Sequence, residues 1–251
     1  MDMTQNNPNC VYNLMRTQFN EIMGHDEFFS YDLQYPSFFT MNNDYFYIMP
    51  TYLDNINSTI KLDVDTFIKG LRNEEREYNL TAVQNNEPQR NFRASSSFAV
   101  TFSKNHILSV IVNLIGDIEG VGNLYNLLYN YNYDLLTGNI IQLGDVFKSD
   151  VNYLEVVTNY VNYKISQNPS IYHPVSQIEI PKDQAFYLTE DGIVLYFGVD
   201  EIAPSEYGIP KFKMMFSKFE PYINYRFYCT EPETPGPIPI PRPRNRSHKR
   251  F

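Results

Sequence analysis

The stretch FRASSSFAVTFSKNHILSVIVNL, residues 92–114, decides the fold of this chain. Apolar or small side chains alternate with mostly polar ones along its first half, which is the period of a strand with one buried face. A turn at Lys104–His106 separates this half from a second alternating run that ends at Leu114. The pattern therefore predicts an antiparallel hairpin that packs against the rest of the chain on one side.

Helical periodicity is found on both sides of this hairpin. Over residues 54–77, apolar side chains recur at intervals that place them on one helical face. They are Ile56, Ile60, Val64, Phe67, Ile68 and Leu71. Asp54 or Asn55 is the expected N-cap, because a short polar side chain can accept a bond from an early helical N–H. Further helices are predicted over residues 151–166 and 214–223.

Shorter patterns predict the remaining elements. Apolar residues at roughly helical intervals predict a short helix over Val11–Met23. Alternating aromatic residues predict a strand over residues 38–49, and Pro50 is expected to end it because proline lacks the N–H that a strand uses. A second hairpin is expected over residues 186–197. It turns at Asp191–Gly192, where glycine tolerates positive φ.

A third strand follows the first hairpin after a loop that contains glycines, Gly116–Gly122. Four tyrosines lie on one face of this strand, and they are Tyr125, Tyr129, Tyr131 and Tyr133. Two interpretations stay open. The rings form a core face that packs on a helix, or they form a solvent-facing platform. A platform suits protein or carbohydrate contact, because tyrosine adds a large contact area at a small entropy cost.

Composition and charge restrict the class of protein. Hydrophobic residues make up 43% of the 251 residues, which is enough for a core. The chain has 21 Tyr, 18 Phe and no Trp, a bias that either serves binding surfaces or reflects an AT-rich genome. The net charge of the whole chain is -9. Residues 231–251 have a net charge of +3, so residues 1–230 have a net charge of about -12. An acidic body repels phosphate, so the folded part is not expected to bind nucleic acid.

The C-terminal residues 231–251 differ from the rest in composition. They hold 6 of the 16 prolines, which predicts a mobile tail of polyproline II character. The cations of the tail are Arg242, Arg244, Arg246, Lys249 and Arg250. The tail either solubilises the chain or tethers it to an anionic polymer, lipid head groups or an acidic protein. Such a tether would be weak and salt-sensitive.

Compartment and disulfide state stay open at this stage. Cys10 and Cys229 stand near opposite ends of the folded region, where one disulfide would close nearly the whole chain. The alternative is two separate thiols in a reducing compartment. No apolar run reaches the roughly 18 residues that a membrane span needs. Met1–Cys10 lacks the basic and apolar regions of a signal peptide.

The motifs of common enzyme classes are missing from the sequence. It contains no phosphate-binding glycine loop, nucleophile elbow or zinc-binding His-Glu-x-x-His helix. The four histidines, His25, His106, His173 and His248, are far apart, so no shared metal site is expected. Carboxylates pair only as sequence neighbours: Asp63 with Asp65, Asp117 with Glu119, and Asp200 with Glu201. Acid–base catalysis needs two carboxylates placed across a cleft. We therefore expect neither catalysis nor a cofactor.

Several blocks of the sequence carry a family resemblance. FYLTEDGIVLYF at residues 186–197, followed by EIAPSEYG at 201–208, resembles the second half of RsiV-like extracytoplasmic domains. NYDLLTGNIIQLGDVF at residues 132–147 resembles the same half. Tyr35-Pro36 and INSTI at residues 56–60 resemble the first half, so the resemblance spans roughly residues 30–225.

The resemblance implies binding without catalysis. RsiV-like domains form the outer part of some anti-sigma factors and accompany peptidoglycan deacetylase domains in Gram-positive bacteria, and some members recognise lysozyme. The family's Gly-Gly-Ala-His-Gly-like segment corresponds here to Gly116–Gly122, which has no histidine, so a role tied to that histidine does not transfer. The chain also lacks the transmembrane helix and the deacetylase domain, and the basic tail is outside the family pattern.

Together these patterns predict an α+β fold in which an antiparallel sheet packs against two main helices. Residues 1–230 are expected to form a binding module, either as one unit or as two packed halves of about 30–80 and 92–225. The functional hypothesis is non-catalytic recognition of a lysozyme-like protein or a wall glycan at the cell envelope or spore surface. The expected binding residues are Tyr125, Tyr129, Tyr131, Tyr133, Arg242, Arg244 and Arg246. The alternatives are an assembly component of a spore or surface layer and an accessory domain of a peptidoglycan-modifying hydrolase.

Overall fold

The strands and helices are given by a computed structural model, which describes residues 11–41, 48–174 and 177–228. In chain order they are β1 Met15–His25, β2 Phe29–Thr40, α1 Pro50–Gln84, β3 Phe92–Lys104, β4 Ile107–Ile118, β5 Gly122–Asp134, α2 Tyr153–Gln167, β6 Phe186–Thr189, β7 Gly192–Tyr196, β8 Lys211–Met215 and α3 Phe216–Phe219. The predicted α+β class is confirmed.

The strands form two sheets, where the sequence predicted one. The first sheet has the order β1-β2-β3-β4-β5, and the second has the order β6-β7-β8. Neighbouring strands are antiparallel except β2 and β3, which run parallel from the pair Phe29 and Phe92 to the pair Asp32 and Ser95. A parallel pair needs a long crossover connection, and α1 supplies it.

The hairpin predicted at residues 92–114 is confirmed as β3 and β4. Asn105 and His106 form its turn with φ of 53° and 59°, a left-handed backbone that asparagine and histidine adopt more readily than most residues. Phe92 and Ala94 are buried on the predicted inner face, which α1 covers. A register shift between Val100 and Phe102 places Phe102 instead among residues of the three-stranded sheet. The third strand is confirmed as β5, which pairs antiparallel with β4.

Helix α1 covers one face of the first sheet. It begins at Pro50, so the predicted N-cap at Asp54 or Asn55 is wrong. Proline suits the first helical position because its φ is already helical and its missing N–H has no partner there. Further along the helix, the Asn57 side chain bonds the backbone N–H and C=O of Phe38 at 2.7 and 2.9 Å. This side chain therefore bonds the edge of β2 opposite β1, beyond the last pair with β3 at Asp32 and Ser95.

The predicted helix over Val11–Met23 is wrong, because these residues lead into β1. This strand pairs with β2 from Met15 opposite Thr40 to His25 opposite Ser30. Phe19 and Met23 are 55% and 65% exposed, so they are not the buried stripe that a helix requires. Strand pairing outweighs so weak a helical periodicity.

The strand predicted over residues 38–49 is confirmed only to Thr40, and it starts earlier, at Phe29. Residues 42–47 lie outside the described part of the chain. In the C-terminal part, α2 and the hairpin β6–β7 are confirmed. The helix predicted over residues 214–223 is reduced to α3. Lys211–Met215 instead form β8, which turns Phe212 and Met214 inward.

Buried side chains form two large clusters. One fills the space between α1 and the five-stranded sheet and includes Phe29, Leu33, Ile60 and Val112. The other fills the space between α2 and the three-stranded sheet, and it also takes in Phe102 and Ile107 at the β3–β4 turn. Lys104 at the same turn pairs with Glu190 between β6 and β7. The tip of the β3–β4 hairpin therefore joins the two clusters.

The first cluster contains residues from both predicted halves, 30–80 and 92–225, and this division of the chain stays a prediction. The tail, Cys10 and Cys229 lie outside the described residues. None of the helices described is long and apolar enough to cross a membrane.

Candidate functional site

The first sheet ends at β5, whose outer edge is covered along only part of its length. At the C-terminal end, the chain after β5 folds back on this edge: the N–H of Ile141 donates to the carbonyl of Asn132 at 2.8 Å. At the N-terminal end, residues 123–129 border a groove instead. The strand thus has a closed end and an open end.

The groove lies between the open end of β5 and the chain that follows β7. Its volume is about 670 Å³. Residues 123–129 line one side, and residues 196–199, Ser205, Glu206 and Ile209 line the other. The second side belongs to the block that ends in EIAPSEYG, including its short 3-10 turn at Ser205–Tyr207.

Backbone hydrogen-bonding groups of β5 point into this groove. The Tyr196 hydroxyl bonds the Leu128 carbonyl at 2.8 Å and lies 2.6 Å from Asn130 Oδ1. The Leu128 carbonyl therefore points away from β4. In an antiparallel ladder the N–H and C=O of one residue point the same way, and the direction repeats at every second residue. The N–H of Leu128 and both backbone groups of Asn126 are consequently directed outward, toward the groove.

The side chains of residues 123–129, at the open end of β5, are all uncharged. Leu124, Leu127 and Tyr129 are 43%, 37% and 37% exposed. Glu206 supplies the one charge among the residues that line the groove. Asn126 Oδ1 is buried and has no hydrogen-bond partner in the described parts of the chain. The groove therefore combines apolar contact, outward backbone groups and a single carboxylate.

Helix α1 decides between the two interpretations of the tyrosine strand. Tyr131 and Tyr133 are buried in the cluster beneath α1, as the core interpretation predicted. Tyr131 donates to Asp63 Oδ2 at 2.8 Å, and burial together with that carboxylate raises the pKa of Tyr131 far above its usual value. Tyr125 donates to Glu74 on the same helix. Helix α1 covers the rings of Tyr131 and Tyr133, so neither ring is open to solvent in this structure, and a binding role for these tyrosines stays a prediction. Tyr125 and Tyr129 both line the groove, and Tyr129 is the more exposed of the two.

The closed end of β5 is held by polar contacts that the sequence did not reveal. Asn132 accepts from the Ser109 hydroxyl at 2.6 Å and donates to the Phe186 carbonyl at 2.8 Å. Arg226 donates two hydrogen bonds to the Asp134 carboxylate at 2.7 and 2.8 Å. Burial alone would raise the pKa of Asp134, but the bonds from Arg226 outweigh burial and hold that pKa below its usual value.

The predicted carboxylate pairs are engaged in other contacts. Asp117 and Glu119 line a second cavity of about 460 Å³ together with Asp26. There, Glu119 accepts from the Asn91 amide at 2.6 Å, and Asp26 pairs with Arg72 at 2.9 Å. The structure thus brings these three carboxylates to one cavity, where Glu119 and Asp26 each have a neighbouring donor.

The remaining predicted residues are scattered. Asp63 and Asp65 bond Tyr131 and Lys61, respectively. The His173 ring lies 3.2 Å from the Asp200 carbonyl, whereas burial and the nearby Arg226 lower the pKa of His106 at the β3–β4 turn. Among the described residues, no group of three or more His, Cys, Asp or Glu side chains could hold a metal ion. Arg242, Arg244, Arg246 and His248 lie outside these residues.

Sequence reasoning missed Tyr196 and Glu206, which form the far side of the groove. Both lie in the blocks that carry the family resemblance, and that resemblance was the one available signal. Alternation identifies β5 as a strand, but it does not reveal that β5 ends the sheet. The position of β5 at the end of the sheet depends on the strand order of the folded protein.

The fold and the groove define an α+β protein in which a five-stranded mixed sheet with one crossover helix adjoins a small three-stranded sheet. Comparison with family models divides the chain in a similar way. Residues 144–217 match the family described as Protein of unknown function (DUF3298). Residues 22–115 match the family described as Deacetylase PdaC.

Solved structures share the fold. A DUF3298-family member from Bacteroides fragilis superposes with a TM-score of 0.58 at 16% identity, covering 84% of this chain and 95% of its own. A DUF3298-family protein from Pseudomonas aeruginosa gives a TM-score of 0.51 at 13% identity, covering 86% of this chain and 97% of its own. No curated protein matches the sequence. At such identities the likeness concerns the fold alone.

Proposed function

We propose that this chain is a non-catalytic recognition module of the cell envelope or spore surface, and that its binding site is the groove at the open end of β5. The observation that carries the proposal is the placement of Leu124, Leu127 and Tyr129, all solvent-exposed, beside a groove of about 670 Å³. Concave, largely apolar sites with a few polar groups are typical of ligand binding.

The proposed ligand is a lysozyme-like protein or a wall glycan. Tyr129 suits either class, because a tyrosine ring offers a flat apolar face and a polar hydroxyl. The envelope setting is supported by the match of residues 22–115 to Deacetylase PdaC and by the resemblance to RsiV-like domains. In this proposal Arg242, Arg244 and Arg246 attach the module weakly to an anionic surface.

The non-catalytic part of the proposal is supported by the state of the carboxylates. Asp63, Asp134 and Glu119 each accept a hydrogen bond from a neighbouring side chain. A catalytic acid or base instead needs a carboxyl oxygen that can exchange a proton with a bound substrate. The net charge of about -12 on residues 1–230 also opposes nucleic-acid binding, because it repels phosphate.

Titration calorimetry against lysozyme and against soluble wall fragments tests the proposal. Tyr129→Ala should weaken binding at least tenfold, which corresponds to about 1.4 kcal/mol. Tyr163→Ala is the matched control, because Tyr163 is also an exposed tyrosine but lies on α2, away from the groove. The proposal fails if neither class binds at high micromolar concentration, or if both variants bind like the wild type.

A second candidate function is an accessory domain of a peptidoglycan-modifying hydrolase, which the Deacetylase PdaC match favours. In that case the groove would hold wall glycan close to a partner enzyme. Deacetylation of insoluble wall material should then speed up several-fold when the enzyme and this chain are joined. An equal rate for the joined and separate proteins would argue against it. Assembly into a spore or surface layer stays a prediction that cell fractionation can test.

A further inference from the structure

The open end of β5 presents an unfinished sheet. Outward backbone groups of Asn126 and Leu128 face the groove, and within the described part of the chain the Tyr196 hydroxyl bonds the Leu128 carbonyl. Exposed strand edges pair readily with an added extended segment, which forms main-chain hydrogen bonds to the edge. The groove therefore has the form of a site for one more strand.

The C-terminal tail contains a segment whose prolines suit an edge strand. Residues 235–244 read PGPIPIPRPR, with proline at every second position. Backbone N–H groups in a strand point alternately to its two sides. The proline positions all fall on one side, so the N–H groups of Gly236, Ile238 and Ile240 all fall on the other. Such a segment can pair along one edge and cannot continue the sheet beyond it, which is where proline is tolerated in sheets.

The same prolines hold the segment extended before it binds. A residue that precedes proline is restricted to extended backbone conformations, and Gly236, Ile238, Ile240 and Arg242 each precede one. The polyproline II character predicted for the isolated tail is close to strand geometry. The entropy lost on pairing is consequently small.

The chain is long enough to reach the groove. The last described residue is Tyr228, and the nearby Arg226 is held at the C-terminal end of β5 by Asp134. Tyr129 lies five positions back along β5, a distance of roughly 17 Å. Residues 229–234 can extend over about 20 Å. A tail that leaves from this point runs along β5 in the antiparallel direction.

Apolar and charge complementarity agree with this placement. Ile238 and Ile240 would share one face of the added strand, near Leu124 and Leu127, which are exposed. The arginines that follow carry the charge opposite to Glu206, the one charged residue among the described residues that line the groove. The body carries about -12, and residues 231–251 carry +3.

We propose that residues 235–244 of this chain add to the open end of β5 as a sixth strand and fill the groove. A ligand for the groove would then have to displace the tail. This proposal concerns the free protein, so it stands or falls independently of whether lysozyme or wall glycan binds.

Amide hydrogen exchange on the full chain, resolved by residue with NMR, tests this proposal. The test variant is Ile238→Pro combined with Ile240→Pro, which removes two N–H groups on the pairing side. The amides of Asn126 and Leu128 should exchange at least tenfold faster in this variant than in the wild type. The amide of Val112, in the centre of the sheet, should not change.

Two further variants separate hydrogen bonding from side-chain loss. Pro239→Ala with Pro241→Ala leaves the pairing N–H groups in place and should keep the slow exchange. Ile238→Ala with Ile240→Ala keeps the same N–H groups, so the amides of Asn126 and Leu128 should keep most of their protection from exchange. Equal exchange at Asn126 and Leu128 in the wild type and the double-proline variant would overturn the proposal. Protection that grows with protein concentration would also overturn it, because the added strand would then come from a second copy.

Discussion

The two ends of β5 are built from similar residues, but their surroundings differ completely. At one end, Tyr131 and Asn132 are buried between α1 and the second sheet. At the other end, Tyr129 and Leu127 face an open groove. The sequence alternates in the same way through both ends. What a tyrosine does in this strand is therefore decided by the element that covers it, and the tyrosine spacing carries no information about that element.

The largest difference between the two ends should appear in stability. Tyr131→Ala should lower the free energy of unfolding by about 3–5 kcal/mol, because it leaves a cavity beneath α1 and removes the hydroxyl bound to Asp63. Tyr129→Ala should change it by only about 0.5 kcal/mol, as expected for a surface position. Urea unfolding of the two variants measures both values. Equal losses would mean that the two ends are packed alike.

A smaller but still clear difference should separate two asparagines of β5. Asn132→Ala should cost about 1–3 kcal/mol, because the Phe186 carbonyl and the Ser109 hydroxyl lose a buried partner. Asn126→Ala at the open end should cost under about 0.5 kcal/mol, since its side-chain oxygen has no partner to lose. The same urea experiment applies. A loss for Asn126→Ala as large as that for Asn132→Ala would mean that the Asn126 side chain has a stabilising partner, contrary to its lack of one among the described residues.

The smallest predicted effect depends on pH and concerns the Asp134–Arg226 pair that secures the closed end. The pKa of Asp134 is lower in the folded protein than in the unfolded chain, so the pair stabilises the fold above the unfolded pKa of about 4. This contribution is lost as the pH falls through the lower, folded pKa. Arg226→Met should cost about 1 kcal/mol at pH 7, allowing for solvent screening of a partly exposed arginine. It should cost much less at the lowest pH at which the protein stays folded.

Unfolding measured from pH 7 downward checks this expectation. Lys61→Met provides the control, because the Lys61–Asp65 pair lies on the surface of α1 and should contribute little at any pH. If Arg226→Met lost the same free energy at every pH, packing of the arginine and not its charge would explain the loss.

Local patterns predicted the parts of the fold that depend on neighbours in sequence. Residues 92–114 form a hairpin because alternation and turn chemistry agree there, and residues 54–77 are helical because their apolar stripe is long. The helix predicted over Val11–Met23 was wrong because few apolar residues lay at helical intervals. Pairing with β2 made these residues lead into a strand instead. The strand Lys211–Met215 was not predicted, because its five residues give too short an alternation to be distinguished from the helical pattern that follows.

The candidate site was only partly accessible to the same reasoning. Tyr129 could be named from its spacing, but Tyr131 could be named equally well, and the burial of Tyr131 depends on Asp63, a residue far away in sequence. Tyr196 reaches β5 through the tertiary fold, so no spacing within β5 indicates it. The edge of a sheet becomes visible only when the order of its strands is known.

The crossover through α1 has a consequence for how the chain folds. Strands β3, β4 and β5 follow one another through short turns, so each pairs with the strand made just before it. The parallel register of β2 with β3 instead closes a loop that contains all of α1, and long closures of this kind are slow. The three-stranded meander should therefore assemble first, and the N-terminal hairpin should dock onto it last. The chain would pass through a stage in which the edge of β3 that pairs with β2 is still exposed and open to aggregation.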